Sequence, residues 1–420
     1  MKRWSRSDNA SFPLISFNWT DNLFPPLTSC DEKYLDGVDV ECSIGNLVSI
    51  ANLGDNLNRM AGEVRISARH IQGIILGKRT DLVKGLDDVS HVDPRLVEQV
   101  KGFHTRGVTP VYRGGEPDRP RVRGFPYKPG QGFEIISKIW KDVRAGRILI
   151  CTTRTITEHD KIVCTPSTLV TKKLPGRTLS TEMRLISDVR LVNNFCDKND
   201  YPACENPTLA DLVQRVEMLD RNFPGVPRRV TKRDVSEASK RVSTHPGCVS
   251  ISCTEFPGKD IGLAHDIVFF WLALPFGWSA SPGYFQTCAR VIAKLHCAHR
   301  PLSPVTGSFP FISHMFVDDA MIIEVDFPGR LEQSVNARES CCEMLLGAGS
   351  VSEDKKRIEG ERSESAILLG FHVNVEKKTI NLPDANIEGA KLVLGRPCYN
   401  TGNAVILLKS LQELRGFFTH

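Results

Sequence analysis

No stretch of this sequence is apolar for long enough to cross a bilayer, which takes about 20 consecutive residues. Nor is there a secretion signal: Lys2, Arg3 and Arg6 stand near the N-terminus, but no apolar segment comes after them. The expectation is an intracellular protein of cytoplasm or nucleus with no membrane partner. Low-complexity tracts are lacking, and the 13 cysteines include no CxxC pair. Scattered thiols without paired spacing read as reduced cysteines and not as a disulfide framework. His245, Cys248, Cys253 and His265 fit no common zinc spacing, so a hairpin with incidental Cys and His is the simpler reading. Gly73 to Arg79 falls one residue short of a phosphate-loop spacing and has Arg79 where a hydroxyl is needed, so it reads as an ordinary helix end.

What is present is the composition of a folded enzyme-sized chain. Its 420 residues can bury more than one core, and 41% hydrophobic with 25% charged residues is globular, so two or three subdomains are expected. A net charge of +5 suits a polyanion without requiring one. Its distribution says more: Arg221, Arg228, Arg229, Lys232, Arg233, Lys240 and Arg241 crowd one stretch, against Asp220, Asp234 and Glu237.

Two adjacent acids, Asp318 and Asp319, interrupt an apolar run between Met315–Val317 and Ala320–Ile323. Paired carboxylates are costly to bury, and a sharp turn between two strands relieves this by presenting them at a hairpin tip, where a divalent cation can neutralise them. A third acid, Asp234, ends an extended stretch that begins at Arg229. Two ions about 3.5–4 Å apart on such carboxylates activate an attacking hydroxyl and stabilise a leaving pyrophosphate, which is nucleotidyl transfer. Between the acid sites lies Leu274 to Gln286. There Gly277 permits close backbone approach, Ser279 to Ser281 leave room for a flat ligand, and Pro282 suits a first helical turn running on through Cys288, Val291 and Leu295.

Four blocks then stand in order: Arg184 to Asn193; Asp234 and Val235 with Ala238; Leu274 to Phe285; and Phe316 to Asp319. The ordered set resembles reverse transcriptases of retroelements, those of long-terminal-repeat and related mobile elements, over roughly residues 130 to 420. The resemblance implies an α+β fold with a right-hand polymerase palm and fingers: an antiparallel palm sheet with helices on one face, preceded by an N-terminal accessory region. It implies Asp234, Val235, Asp318 and Asp319 as ligands of two Mg²⁺, with Mn²⁺ as a substitute, and Lys355 or Lys356 as a general acid near the pyrophosphate. It also implies that Lys172, Lys173 and Arg184 grip the triphosphate, that Val235, Ser239, Gly277 and Gln286 lie along the nucleotide, and that Leu369 to Phe371 resembles a palm and primer-grip strand. Arg228, Arg229, Lys232 and Arg233 are expected to face nucleic-acid phosphates. Most such enzymes carry an aromatic ring at the position of Ser239, which shuts out a 2′-hydroxyl; serine leaves space for it.

The implied partners are an RNA or DNA template with its primer, deoxynucleoside triphosphates, and further domains of a polyprotein. Residues 1–129 are a different compositional zone, with helices expected near 44–60 and 64–76 and a Gly, Pro and Arg-rich linker from Gly107 to Gly130. Fingers and palm are expected over 130–385, and the start of a thumb or connection over 386–420. The spacing predicts a helix through Ile136, Ile139, Trp140 and Val143, a strand over Arg147 to Cys151, a helix from Leu209 to Leu219 with a capping box of Thr208 and Asp211, and a helix over Leu331 to Leu346. The chain stops at His420 soon after Leu411 to Gly416, so a piece of a longer polyprotein, or a decayed copy that binds nucleic acid without extending it, are also open readings. A viral-type RNA-dependent RNA polymerase shares the carboxylate plan, and the Leu274 to Phe285 block argues against it.

Overall fold

The computed structural model describes residues 44–395, apart from 78–79, 88, 90, 110, 112–130, 158–159, 161, 174–178 and 301–307. In chain order the helices begin with α1 (Ile44–Ala61), α2 (Val64–Gly77), α3 (Thr80–Lys84), α4 (Pro94–Thr105) and α5 (Gln131–Arg144). Then come β1 (Ile148–Thr152), β2 (Ser167–Lys173), β3 (Leu179–Ser187), the short α6 (Arg190–Asn193), α7 (Leu209–Asn222), β4 (Arg228–Asp234), β5 (Cys253–Phe256) and β6 (Ile267–Trp271). The remainder is α8 (Ser281–Ala298), β7 (Ser313–Phe316), β8 (Asp319–Val325), α9 (Arg330–Leu346), α10 (Glu353–Glu359), β9 (Ser365–Leu368), β10 (Phe371–Asn374), β11 (Thr379–Asn381) and α11 (Asp384–Leu394). Every strand pairing within these sheets is antiparallel, which with the intervening helices is an α+β pattern.

The local signals act as the sequence predicts. Thr208 and Asp211 form the reciprocal capping box that opens α7, and Leu212, Val216 and Leu219 recur at helical spacing on its buried side. Ile136, Ile139, Trp140 and Val143 of α5 are buried together in the same way. Phe133 is expected in that stripe, and its side chain lies outside the described residues.

The described part of residues 1–129 is not set apart from the rest of the chain. Leu47, Ile50 and Ala51 of α1 and Val64, Ala68 and Ile71 of α2 share one core with α5, β1 and β6. Buried Asp55 fastens α1 to β1: its carboxylate accepts from Thr152 N (2.7 Å), Thr152 Oγ1 (2.7 Å) and Thr155 Oγ1 (2.9 Å). Of the linker expected from Gly107 to Gly130, residues 107–109 and 111 are described, and Val108 bridges Thr244 there; the rest of it, and the thumb segment beyond residue 395, fall outside the described residues.

The sheet that carries the acids runs β4-β8-β7, with β8 in the middle. Helices cover both alternating sets of β8 side chains, which corrects the single helix-covered face expected from the sequence. Met321, Ile323 and Val325 pack with Leu212, Val216 and Leu219 of α7, whereas Ile322 packs with Leu331 and Val335 of α9. The cause is legible in the strand itself: Ala320 to Ile323 is a continuous apolar run, and such a run suits burial on both faces, not the alternation of a half-exposed strand. Leu369 and Gly370 also differ from expectation. They form no strand; with φ of 50° and 83° they make the two-residue turn between β9 and β10, the left-handed pair that tight hairpins need.

Candidate active site

Strands β7 and β8 leave only Val317 and Asp318 for their turn, since Phe316 pairs directly with Asp319. Val317 takes φ 54°, a conformation in which a β-branched residue is strained, and its side chain packs against the adjoining core. The two-residue turn puts Asp318 at the hairpin tip. Across the sheet Asp319 is the partner of Asp234, and Val235 N donates to Asp318 O (2.9 Å), so three carboxylates from two distant segments are gathered at one end of the sheet.

The pair is bridged by Lys355 from α10. Its ammonium donates to Asp234 and lies 3.8 Å from Asp319. Lys356 turns away to Glu339 (3.0 Å), so of the two lysines it is Lys355 that meets the acids. Burial raises the Asp234 carboxyl to about 6 against the pull of Lys355, and Asp318 and Asp319 add to the rise. Asp318 is raised by burial first and by Asp319 second, while Lys355 and Arg184 favour its charged form. Burial works against the Lys355 charge, but the bonded Asp234, with Asp319 and Asp318, outweighs it and holds the ammonium above its usual value. Among the described residues no three His, Cys, Asp or Glu side chains stand ready-made around a metal position.

Arg184, far away in sequence, is exposed on β3 opposite Val170, and its charge reaches Asp318. Lys172 and Lys173 belong to β2 of the same hairpin, and their side chains lie outside the described residues. The Leu274 to Phe285 loop sits beside the end of β3. Gly277 has φ 100°, which favours glycine, and a Cβ there would come within a tight 3.2 Å of Ser187 O. Asn193 clamps this loop: its Nδ2 donates to Gly277 O (3.0 Å) and its Oδ1 accepts from Ser279 N (2.9 Å). That clamp is not marked in the sequence, where Asn193 is one polar residue in a block. Asp188, held below the usual carboxylate range chiefly by its hydrogen bond to Arg190, spends its charge locally. Ser239 is half-buried in a 3-10 turn, Ala238–Arg241, five residues past Asp234.

Two expectations are corrected. Gln286 is buried on α8 and donates through Nε2 to Glu205 O (2.9 Å), so it fastens the helix to the preceding loop and does not line the site. The basic run does not form one phosphate-facing stripe either. Successive strand residues point to opposite faces, so β4 sends Arg228 and Lys232 one way and Arg229 and Arg233 the other. Arg228 pairs with Asp220 and Glu376, Arg229 with Asp326 (3.3 Å) and Glu364 (3.6 Å), and Arg233 with Glu339 (2.6 Å). Lys232 is half-buried, opposite Met321 of β8.

No family model and no curated protein matches the chain. Among solved structures it is similar to the foamy viral protease-reverse transcriptase in complex with an RNA/DNA hybrid, at 16% identity and a TM-score of 0.46 over 81% of this chain and 40% of that one. A second foamy viral protease-reverse transcriptase structure, with double-stranded DNA, gives 16% identity and a TM-score of 0.48 over 81% of this chain and 52% of the other. The chain thus spans about half the length of these proteins or less. Superpositions this loose leave the functional reading to the chain's own residues. Among the described residues, no helix is long and apolar enough to cross a membrane.

Proposed function

We propose that this chain is an RNA-directed DNA polymerase of mobile-element type, which adds deoxynucleotides to a primer 3′-hydroxyl. The observation that carries the reading is the meeting of Asp318 and Asp319 with Asp234 across the sheet, under the charge of Arg184. The donor set fits a hard divalent cation: it offers carboxylate oxygens without sulfur or imidazole, and burial makes carboxylates ask for compensating positive charge. Asp234, Asp318 and Asp319 would hold Mg²⁺ or Mn²⁺, with the Val235 backbone beside them. Such ions polarise phosphoryl oxygens and stabilise the charge on a leaving pyrophosphate.

The protein groups supply the rest. The Arg184 guanidinium, exposed on the β2–β3 hairpin, offers a fork of donors to a triphosphate, with Lys172 and Lys173 on the paired strand. Lys355, charged and bonded to Asp234, would offset the charge of the carboxylates and hand a proton to the departing pyrophosphate. Gly277, whose bare Cα packs against Ser187 and Val189, would lie along the nucleotide or template by its backbone. Ser239 puts no ring against the sugar, so discrimination against ribonucleotides is expected to be weak, and Ser239→Tyr to raise the deoxy-to-ribo ratio of kcat/KM; a strong deoxynucleotide preference in the serine form would contradict this placement. The polymerase reading is tested by extension of a DNA primer on an RNA template with purified protein and Mg²⁺. Template binding with no extension would leave a binding remnant, and preference for ribonucleotides and an RNA primer would favour an RNA polymerase.

A further inference from the structure

The turn that carries Ser239 is held by a distant part of the chain. Glu237 and Lys240, which flank Ala238 and Ser239, both reach across to α5 and the residue that precedes β1. The Glu237 carboxylate accepts from the buried Arg147 guanidinium, 90 residues away in sequence, and lies 3.0 Å from the Lys141 ammonium. Lys240 donates to buried Asp142 and stands over the Trp271 ring at 5.3 Å. Asp142 closes the circuit: its other carboxylate oxygen lies 3.3 Å from the same Arg147 nitrogen that meets Glu237. Arg147 thereby joins both flanks of the turn. Its own backbone is fixed, with N donating to Asp142 O (2.9 Å) and O accepting from Leu272 N (2.7 Å).

Glu237 also takes φ 56°, the left-handed region, where a side chain is strained and glycine is not. A turn that needed only this backbone shape would be served by glycine; glutamate adds strain, and the ion pairs with Arg147 and Lys141 compensate it. On its other side the turn is tied to the carboxylate end of the sheet. Val235 N donates to Asp318 O (2.9 Å), Ser236 N to Ser350 O (2.8 Å) and Arg241 Nε to Ser236 O (3.2 Å). The direction in which residue 239 leaves the acid-bearing strand is therefore fixed from two sides.

We infer that Arg147, acting through Glu237 and the Asp142–Lys240 pair, is a positioning residue that sets the place of residue 239 against the sugar of an incoming nucleotide; this rests on the polymerase reading above. Its rigid planar guanidinium, shared between two carboxylates, holds them at a fixed spacing. Without it Glu237 keeps only the exposed Lys141, and the left-handed turn loses its main compensation.

The experiment measures kcat/KM for a deoxynucleotide and for the matching ribonucleotide, with the full chain on one primer–template and each value corrected for folded fraction. Ser239→Tyr supplies the probe, because exclusion of a 2′-hydroxyl by its ring depends on where residue 239 points. The gain in deoxy-to-ribo ratio that tyrosine brings should shrink about fivefold or more when Arg147→Met is added, as expected of residues that act as a unit. Arg147→Lys should restore part of it. Glu237→Gly, which removes the anchor and the left-handed strain together, should blunt the gain in the same way. A merely structural role would lower the folded fraction and leave the ratio alone. The full gain in the Arg147→Met background, with primers extended by wild type, overturns the inference while the polymerase reading stands. No gain from tyrosine in the otherwise wild-type chain removes the Ser239 placement and this inference with it, and again leaves the polymerase reading standing. If the wild-type chain extends no primer, both fall.

Discussion

Strand β8 carries a carboxylate cluster near each end, and the two are balanced in opposite ways. Near its C-terminal end Glu324 is fully buried between Arg215 (2.6 Å) and Arg330 (2.8 Å), with the two guanidiniums lying 5.5 Å from the Phe309 ring centre. There one acid meets two cations, so positive charge is in excess, and Arg330 donates further to Phe309 O (3.2 Å) and Pro310 O (3.4 Å). At the N-terminal end three acids meet one ammonium, and that ammonium is 42% exposed. The first cluster has no deficit of positive charge and calls for no cation. The second has a deficit of positive charge in a partly desolvated place, and a deficit of that kind is what a bound cation and a triphosphate-gripping arginine would answer.

The contrast predicts that removing an acid has opposite consequences at the two ends. Asp318→Asn should lower primer extension about a thousandfold or more, because a lost ligand to a catalytic ion removes several kcal/mol of transition-state stabilisation. Template affinity, which comes mainly from backbone phosphate contacts, should stay within a few-fold in a filter-binding or anisotropy titration. Glu324→Gln should do the reverse. It leaves two buried guanidiniums short of their charge, costing about 3–5 kcal/mol in urea unfolding, while extension per folded molecule is retained. Equal stability losses at both ends would erase the distinction.

Lys355→Ala sharpens the comparison further. Lys355 is 42% exposed but its partner Asp234 is buried, so unfolding should lose less than with Glu324→Gln while the extension rate drops through loss of the proposed proton donor. A restored rate with Lys355→Arg, which does not give up its proton, would argue for a purely electrostatic role. The smallest effect expected is a pH dependence that belongs to the closed end. His296 stacks on Phe311 beside Arg330, and burial first, then Arg338, His299 and Arg215, lower it to about 3. Its folded value lies below its unfolded value near 6.5, so between these limits the unfolded chain binds a proton that the folded chain refuses. Stability is therefore full above about pH 6.5 and falls by up to about 1.4 kcal/mol per pH unit below it. Urea midpoints of wild type and His296→Gln at pH 7 and pH 5 check this: the variant should lose less.

Much of the open end was legible in the sequence because hairpin chemistry is local. Asp318 and Asp319 between two apolar runs forced a turn, and an extended stretch ending in Asp234 supplied its partner. The choice between Lys355 and Lys356 was not legible, since it depends on which way α10 presents adjacent residues. The arginines of β4 misled for a related reason: charge counted along a chain ignores the alternation that sends Arg228 and Arg229 to opposite faces. The closed end was illegible for lack of range, as Arg215 and Glu324 are 109 residues apart and nothing local marks them as a pair. Nor did the amphipathic pattern of α1 and α2 say which core would receive Leu47 and Ile71.

Primer extension by wild type, Asp318→Asn and Glu324→Gln, each corrected for its folded fraction, bears most directly on the claim that the two ends of β8 divide chemistry from structure. The account predicts Mg²⁺-dependent extension by wild type and Glu324→Gln at comparable rates and none by Asp318→Asn. Extension by Asp318→Asn within a few-fold of wild type would contradict it.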